Sequence, residues 1–261
     1  MSRKFRIPVR ALGSEAGDPS ISSLAAWIGA HRGTEADLIT YKLEQSIQVQ
    51  EGVDVPSAGG RFYLPRIQAS LNGIENHHLT REPFVETRDC VQDADRILSF
   101  RKGAWCCLPA PRLWGLIDHY FHDPDEFLAA LCHCTRQLMR AMRDRGIKGH
   151  ILLCDRYSEE EVAELANRKV LIYAEQATRE GLSWILERQG NIAVNGDQIG
   201  LALELLDEYD IARLTIVDPS EETLRRVQSH FDPDSVEAGG YCREECKTYW
   251  RTIINSAFII Q

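Results

Sequence analysis

The chain has 261 residues, is 44% hydrophobic and 26% charged, and carries a formal net charge of -9 at neutral pH. That is enough apolar mass for a full core, but no apolar run reaches the length of a membrane span and the acidic balance argues against a general nucleic-acid surface, so neither a membrane nor a nucleic acid is expected as a partner. The opening MSRKFRIPVRALGSE has basic residues without an apolar segment behind them, which does not read as a secretory signal, and eight cysteines spread over the chain read as reduced thiols in the cytoplasm rather than a disulfide framework.

In chain order, a first strand is predicted over 6–14 (RIPVRALGS), a helix over 34–50 and a second strand over 52–58 (GVDVPSA). Residues 59–99 read as a long excursion before a third strand at 102–108 (KGAWCCL). The helix after it is well signalled. Asp123 can cap, Pro124 suits the first helical position, Asp125 and Glu126 complement the positive end of the dipole, and Phe127, Leu128, Leu131, Leu138, Met139 and Met142 recur at helical spacing. Regular alternation follows. HILLCD (150–155) precedes a helix opened by Ser158 with Glu161 three residues on, KVLIYAE (169–175) precedes a helix from about Thr178, NIAVNGD (191–197) precedes IGLALELLDEY, and RLTIVDP (213–219) precedes EETLRRVQ. A last strand near 236–239 leads to Cys242 and a terminal helix carrying Trp250, Ile253, Ile254 and Ala257. Eight strands with intervening helices predict an α/β fold, a (β/α)8 TIM-type barrel of near-minimal length spanning 1–261 as one domain, with an open doubly wound sheet as the alternative.

The strand ends carry the chemistry. Asp155 ends an apolar strand and should lie at a barrel mouth, either as a ligand-binding acid or as a helix cap. Glu175, Asp197 and Asp218 repeat that placement, and together they could bind an ammonium group or a cation, or move protons. Asp218 has a competing role as a cap, with Pro219 at the first helical position and Glu221 completing a box. Cys242 and Cys246, four apart, could share a metal with Cys154 or His150, against the commoner alternative of buried inert thiols. Cys132, His133 and Cys134 read as packing, only one of Cys106 and Cys107 can face a barrel interior, and His77, His78, His119 and His122 read as surface residues. Gly59 and Gly60 before Arg61 suit a turn or a close backbone approach to an anion.

The order of these segments resembles the catalytic domain of cobalamin-independent methionine synthase, above all its short archaeal form, within the superfamily that includes uroporphyrinogen decarboxylase. FRIPVRALGS resembles the family's opening strand ending in Gly-Ser, IQVQEGVDVPSAGG its second unit, KGAWCCLPAP its Pro-Gly-Pro segment, HILLCDRY its Asp-Glu-Pro strand, and FDPDSVEAGGYC the segment leading to its last metal cysteine. The resemblance implies a small thiol or amino-acid-like substrate, with Gly13 and Ser14 on the substrate backbone, Asp155 on its amino group, Trp114 near the pterin methyl donor, and Cys242 as a thiol or vestigial ligand. It also implies zinc, yet Ile172 and Ala174 stand where the family has His-x-Cys, only Asn195 or Asp197 lies near the ligand glutamate, and Ala58, Gly59 or Gly60 replaces the second-unit glutamate. No metal residues are therefore assigned. The expectation is a methyltransferase-like enzyme of methyl or one-carbon transfer, with Asp155, Glu175 and Cys242 catalytic and Gly13, Ser14, Trp114, Asp155 and Asp218 binding substrate. The alternatives are a non-catalytic paralogue acting as a binding or partner subunit, and a metal-free lyase or decarboxylase. A protein partner or a homo-oligomer is compatible with each.

Overall fold

The computed structural model describes residues 4–15, 17–32, 36–244 and 246–260. After a short strand β1 (Lys4–Arg6), β2 (Val9–Ser14) leads through α1 (Ile21–Ala30) to α2 (Leu38–Gln48), β3 (Ser57–Gly59) and α3 (Leu64–Ser70). A hairpin of β4 (Leu71–Glu75) and β5 (His78–Val85), α4 (Arg88–Phe100), β6 (Trp105–Pro109), β7 (Ile117–Asp118) and the long α5 (Pro124–Arg145) follow. The remainder alternates: β8 (His150–Cys154), α6 (Glu159–Leu165), β9 (Val170–Ala174), α7 (Arg179–Leu186), β10 (Asn191–Asn195), α8 (Ile199–Glu204), β11 (Arg213–Val217), α9 (Glu221–Val227), β12 (Val236–Cys242), α10 (Cys246–Ser256) and β13 (Phe258–Ile260). β13 pairs antiparallel with β1.

Two parallel four-stranded sheets, β3-β6-β8-β9 and β10-β11-β12-β2, face each other along two seams and form the (β/α)8 barrel. At the first seam the backbone does the joining. The Val55 N–H donates to the Val9 carbonyl and the Ala11 N–H to the Val55 carbonyl, both at 2.9 Å, so the segment entering β3 lies parallel to β2. At the second seam side chains stand in for the ladder. The Ala174 N–H donates to the Tyr157 hydroxyl, which donates to the Ala193 carbonyl, each at 3.5 Å. Gln189 bridges β9 and β10 at one end, donating to the carbonyls of Val170 at 3.1 Å and Asn191 at 3.4 Å. At the other end the Tyr173 hydroxyl donates to the Asn195 side chain at 2.6 Å. A Cβ on Gly181 would lie 2.3 Å from the Tyr157 ring, so the bare backbone of α7 is what admits that ring to the seam.

Period-two alternation decides which side chains enter the barrel. Leu12, Cys107, Ile151, Leu153, Leu171, Tyr173, Ala193, Val217 and Tyr241 pack together inside. Their neighbours Cys106, Leu152, Ile172, Ala174, Val194, Ile216 and Cys242 belong to the outer core under the helices. The predicted face of α5 is buried through Leu128, Leu131, Leu138, Met139 and Met142, and Asp123 caps it, accepting from the N–H groups of Asp125 and Glu126. At the N-terminal floor of the barrel Arg10 donates to Glu237 at 2.5 Å and 3.1 Å, joined by Arg213 at 2.8 Å and Thr215 at 3.0 Å.

Several local expectations change. The excursion over 59–99 is structured, holding α3, the β4–β5 hairpin and most of α4. The helix predicted over 34–50 begins at Leu38, with Asp37 as its cap; positions 34 and 35 lie outside the described residues. The sequence signals did not predict α1, a chargeless helix none of whose side chains is buried. Ser158 caps α6 as expected, but buried Glu161 does not complete its box and instead accepts the Arg112 N–H at 2.8 Å. Among the described residues, no helix is long and apolar enough to cross a membrane.

Candidate active site at the barrel mouth

The C-terminal strand ends divide the mouth into a packed sector and an open one. In the packed sector, β2, β3 and β6 approach too closely for side chains between them. A Cβ on Gly60 would lie 2.1 Å from the Ser14 carbonyl, one on Gly59 2.3 Å from the Cys107 carbonyl, and one on Gly13 2.8 Å from the Cys107 side chain. Gly13 and Gly59 also have φ of 115° and 93°, a region closed to most other residues. Gly13, expected to touch substrate, is thus fully engaged in strand packing. Ser14 is completely buried and its hydroxyl has no hydrogen-bond partner, a state that a bound ligand or water would relieve.

The open sector lies over β9 to β12. A cavity of about 290 Å³ is lined there by Tyr173, Asn195, Asp197, Asp218, Tyr241 and Arg243. Glu175, the residue after β9, pairs across it with Arg243, the residue after β12. Tyr249 of α10 donates to Asp218 at 2.5 Å. Burial pushes the Asp218 carboxyl above its usual range, against the opposing pull of the Tyr249 bond and the Arg243 charge, and burial beside that carboxylate also raises the Tyr249 phenol. Asp218 has a φ of 50°, tolerated by aspartate better than by most side chains and frequent where backbone is held for function.

A second guanidinium spans the packed sector. Arg61, just after β3, donates to Asp155, just after β8, at 2.6 Å. Burial works against the charge on Arg61, but the bond to Asp155 more than compensates and raises its pKa. The Arg61 N–H reaches the Tyr241 hydroxyl at 3.4 Å, and that hydroxyl in turn donates to Glu15. Asp155, Glu175, Asp197 and Asp218 therefore do gather around the mouth, and each of the three paired ones already has a partner.

Other assignments are corrected by strand parity. Cys242 points outward from β12, is buried, and forms a disulfide with Cys246 at the start of α10; it is neither an available thiol nor a partner of Cys154 or His150. The expected reduced state fails for this pair, because the first turn of α10 carries Cys246 back over the outward face of β12, whereas Cys90, Cys106, Cys107, Cys132, Cys134 and Cys154 are buried free thiols. Ile172 and Ala174 also face outward, so the inward pair on β9 is Tyr173 and Glu175. Asp218 does not cap α9: Ser220 does, accepting the Thr223 N–H at 3.0 Å. Trp114, just beyond the C-terminal end of β6, is buried and donates to the Pro109 carbonyl at 3.1 Å. The His78 ring, on the excursion, and the His119 ring, just after β7, are 3.2 Å apart between nitrogens. Tyr173, Tyr241, Arg243 and Tyr249 escaped sequence reasoning. A signal existed in VEAGGYCRE, where Glu237, Gly239, Tyr241 and Arg243 share one face of an otherwise small and apolar strand.

The mouth does not suit a zinc-thiolate centre. The inward groups on β9 to β12 are phenols, carboxylates, an amide and a guanidinium, with no thiolate or imidazole among them, whereas zinc sites draw on Cys and His with at most a minority of carboxylates. Among the described residues, no three His, Cys, Asp or Glu side chains are grouped to hold a metal. Larger cavities lie elsewhere on the barrel. One, about 460 Å³, lies against α2 and α4 among the Arg66–Asp93 and Arg96–Glu44 pairs. Another, about 790 Å³, runs beside α5 and α6 past Phe127 and Trp184 and shares Asp155 with the mouth.

No protein-family model and no curated protein sequence matches the chain. Solved structures do. A B12-independent methionine synthase from Shewanella sp. W3-18-1, in complex with selenomethionine, superposes with a TM-score of 0.66 at 11% identity, covering 97% of each chain. A Listeria monocytogenes protein assigned as a vitamin-B12-independent methionine synthase gives 0.59 at 13% identity, covering 96% of this chain and 94% of its own. At such identity the likeness is one of architecture: the chain has the barrel fold of the cobalamin-independent methionine synthases.

Proposed function

We propose that the protein is a cytoplasmic enzyme that holds a small amino-acid-like ligand at the barrel mouth and carries out methyl or one-carbon transfer on it. The observation that carries this reading is the charge pattern of the open sector: the carboxylates of Asp197 and Asp218 share a cavity of about 290 Å³ with the guanidinium of Arg243, which Glu175 pairs. A zwitterion needs that combination, with its ammonium among the acids and its carboxylate at an arginine. The fold supports the reading, since ligands of such barrels sit at the strand C-termini, and the Shewanella structure is a complex with selenomethionine. Asp218, protonated more readily than an ordinary carboxyl and bonded to Tyr249, is the group best placed to give or take a proton. Asp155 orients Arg61. Thiol activation through zinc is no part of this reading, because the donor set does not fit it.

Calorimetric titration with L-methionine and L-homocysteine, followed by a methyl-transfer assay on whichever binds, tests this. Binding that falls at least tenfold in Glu175→Gln and in Asp218→Asn, with the fold retained by circular dichroism, is the expected result. No binding of either amino acid overturns the reading. Binding without turnover by any methyl donor would instead favour a non-catalytic binding subunit.

A further inference from the structure

The open sector already contains a cation of its own. Arg243 extends from the end of β12 to Glu175 at the end of β9, so its side chain crosses the cavity above β10 and β11. On the way its guanidinium carbon lies 6.0 Å from the centre of the Tyr241 ring, at the outer limit for attraction of a cation by an aromatic face. Carboxylate on one side and ring on the other is how a protein holds a small organic cation, and here the protein's own side chain fills that place.

Three facts bear on what happens when a ligand arrives. Asp197 and Asp218 line the cavity with Arg243, whose own charge is already paired with Glu175, so the cavity favours a further cation and opposes an anion. The Arg243 side chain is 59% exposed, so it can turn into water with little loss of packing. Its backbone cannot follow, because Tyr241 is buried beside it and Cys242 is tied to α10. Only the side chain is free to exchange.

Building on the amino-acid reading above, we propose that the ligand's cationic end takes the place that Arg243 holds between Glu175 and the Tyr241 ring. Arg243 then turns to the ligand's anionic end, so that this one side chain sets the preference for zwitterions over simple cations. Without a carboxylate on the ligand, the displaced guanidinium exchanges its bond to Glu175 for water, and a purely cationic ligand binds more weakly than a zwitterion. With one, it is re-paired.

Three probes with the same thioether side chain test this: L-methionine, a zwitterion; L-methionine methyl ester, a cation; and N-acetyl-L-methionine, an anion. In the wild-type chain the expected order of affinity is zwitterion, then cation, with the anion weakest. In Arg243→Ala, and in Arg243→Gln as a variant that keeps the side-chain bulk, the methyl ester should gain about tenfold and L-methionine should fall to the affinity of the ester. Unchanged affinities in both variants, or a wild-type preference for the N-acetyl anion over the ester, would overturn the role given to Arg243 while leaving the amino-acid reading in place. Failure of all three probes to bind would overturn both.

Discussion

The same chemical pair occurs at both ends of the barrel and does different work at each. At the floor, Arg10 and Glu237 are 9% and 1% exposed. At the mouth, Arg61 and Asp155 are 38% and 65% exposed, and Arg243 and Glu175 are 59% and 36% exposed. A buried pair, once desolvated, has no alternative partner; breaking it strands a charge, whereas water can replace either member of an exposed pair at small cost. The floor pair therefore fixes structure, with Thr215 and Arg213 completing the bonds of Glu237. The mouth pairs can be exchanged for a ligand. Identical side chains thus become scaffold or site according to their depth in one tube.

The largest effect expected from breaking this contrast is at the floor. Glu237→Ala should cost about 4 kcal/mol of stability by leaving Arg10 buried and unpaired, measured by urea unfolding, and a cost below 1 kcal/mol would refute the distinction. Next is the packed sector of the mouth. Gly60→Ala should cost about 3 kcal/mol, since its Cβ would meet backbone rather than a movable side chain, and a Tm equal to wild type would show that β2 and β3 are looser than described.

Acid should also attack the floor before the mouth. His150, the first residue of β8, is fully buried with neither ring nitrogen paired, and burial, helped by the Arg143 charge, pushes its pKa down to about 3. The unfolded chain, with an ordinary histidine value near 6.5, then binds the proton more readily than the native one, so stability is present at neutral pH and is lost as pH falls below that value. The loss should amount to about 2 to 3 kcal/mol between pH 6.5 and 4.5, and His150→Leu should abolish it; a parallel pH slope in that variant would refute the assignment. Burial favours protonation of Glu237, but Arg10 and Arg213 hold its pKa below the usual range. Its contribution is thus present above the unfolded carboxylate value near 4.5 and disappears only as pH drops below it.

The smallest stability effect should come from the mouth. Arg61→Gln should change stability by less than about 1 kcal/mol yet weaken L-methionine binding in calorimetry, by freeing Asp155 from its fixed position. A large loss of stability with unaltered binding would assign this pair to the scaffold instead.

Much of the barrel was legible in the sequence because it follows from local chemistry. The apolar runs 150–155, 169–175, 191–197 and 213–219 each became a strand followed by a helix, and Asp123, Pro124 and Ser158 marked helix starts where the backbone needs caps. The acids at those strand ends were also readable, since a polar residue after an apolar strand must emerge at a barrel end. What composition and spacing left open was parity. A slip of one residue exchanges inside for outside, and this is why Cys242, Ile172 and Ala174 attracted attention while Tyr241, Arg243 and Tyr173 did not.

The sequence by itself determined the alternation of strands and helices and the placing of carboxylates at their ends, because hydrophobic period and capping act within a few residues. The tertiary structure decided which cysteine meets Cys246, which arginine crosses to which acid, and that Ser220 rather than Asp218 caps its helix. Those outcomes depend on the twist and closure of eight strands, which bring Glu15 beside Tyr241 and Glu175 beside Arg243, and no local pattern records a contact between groups so far apart along the chain.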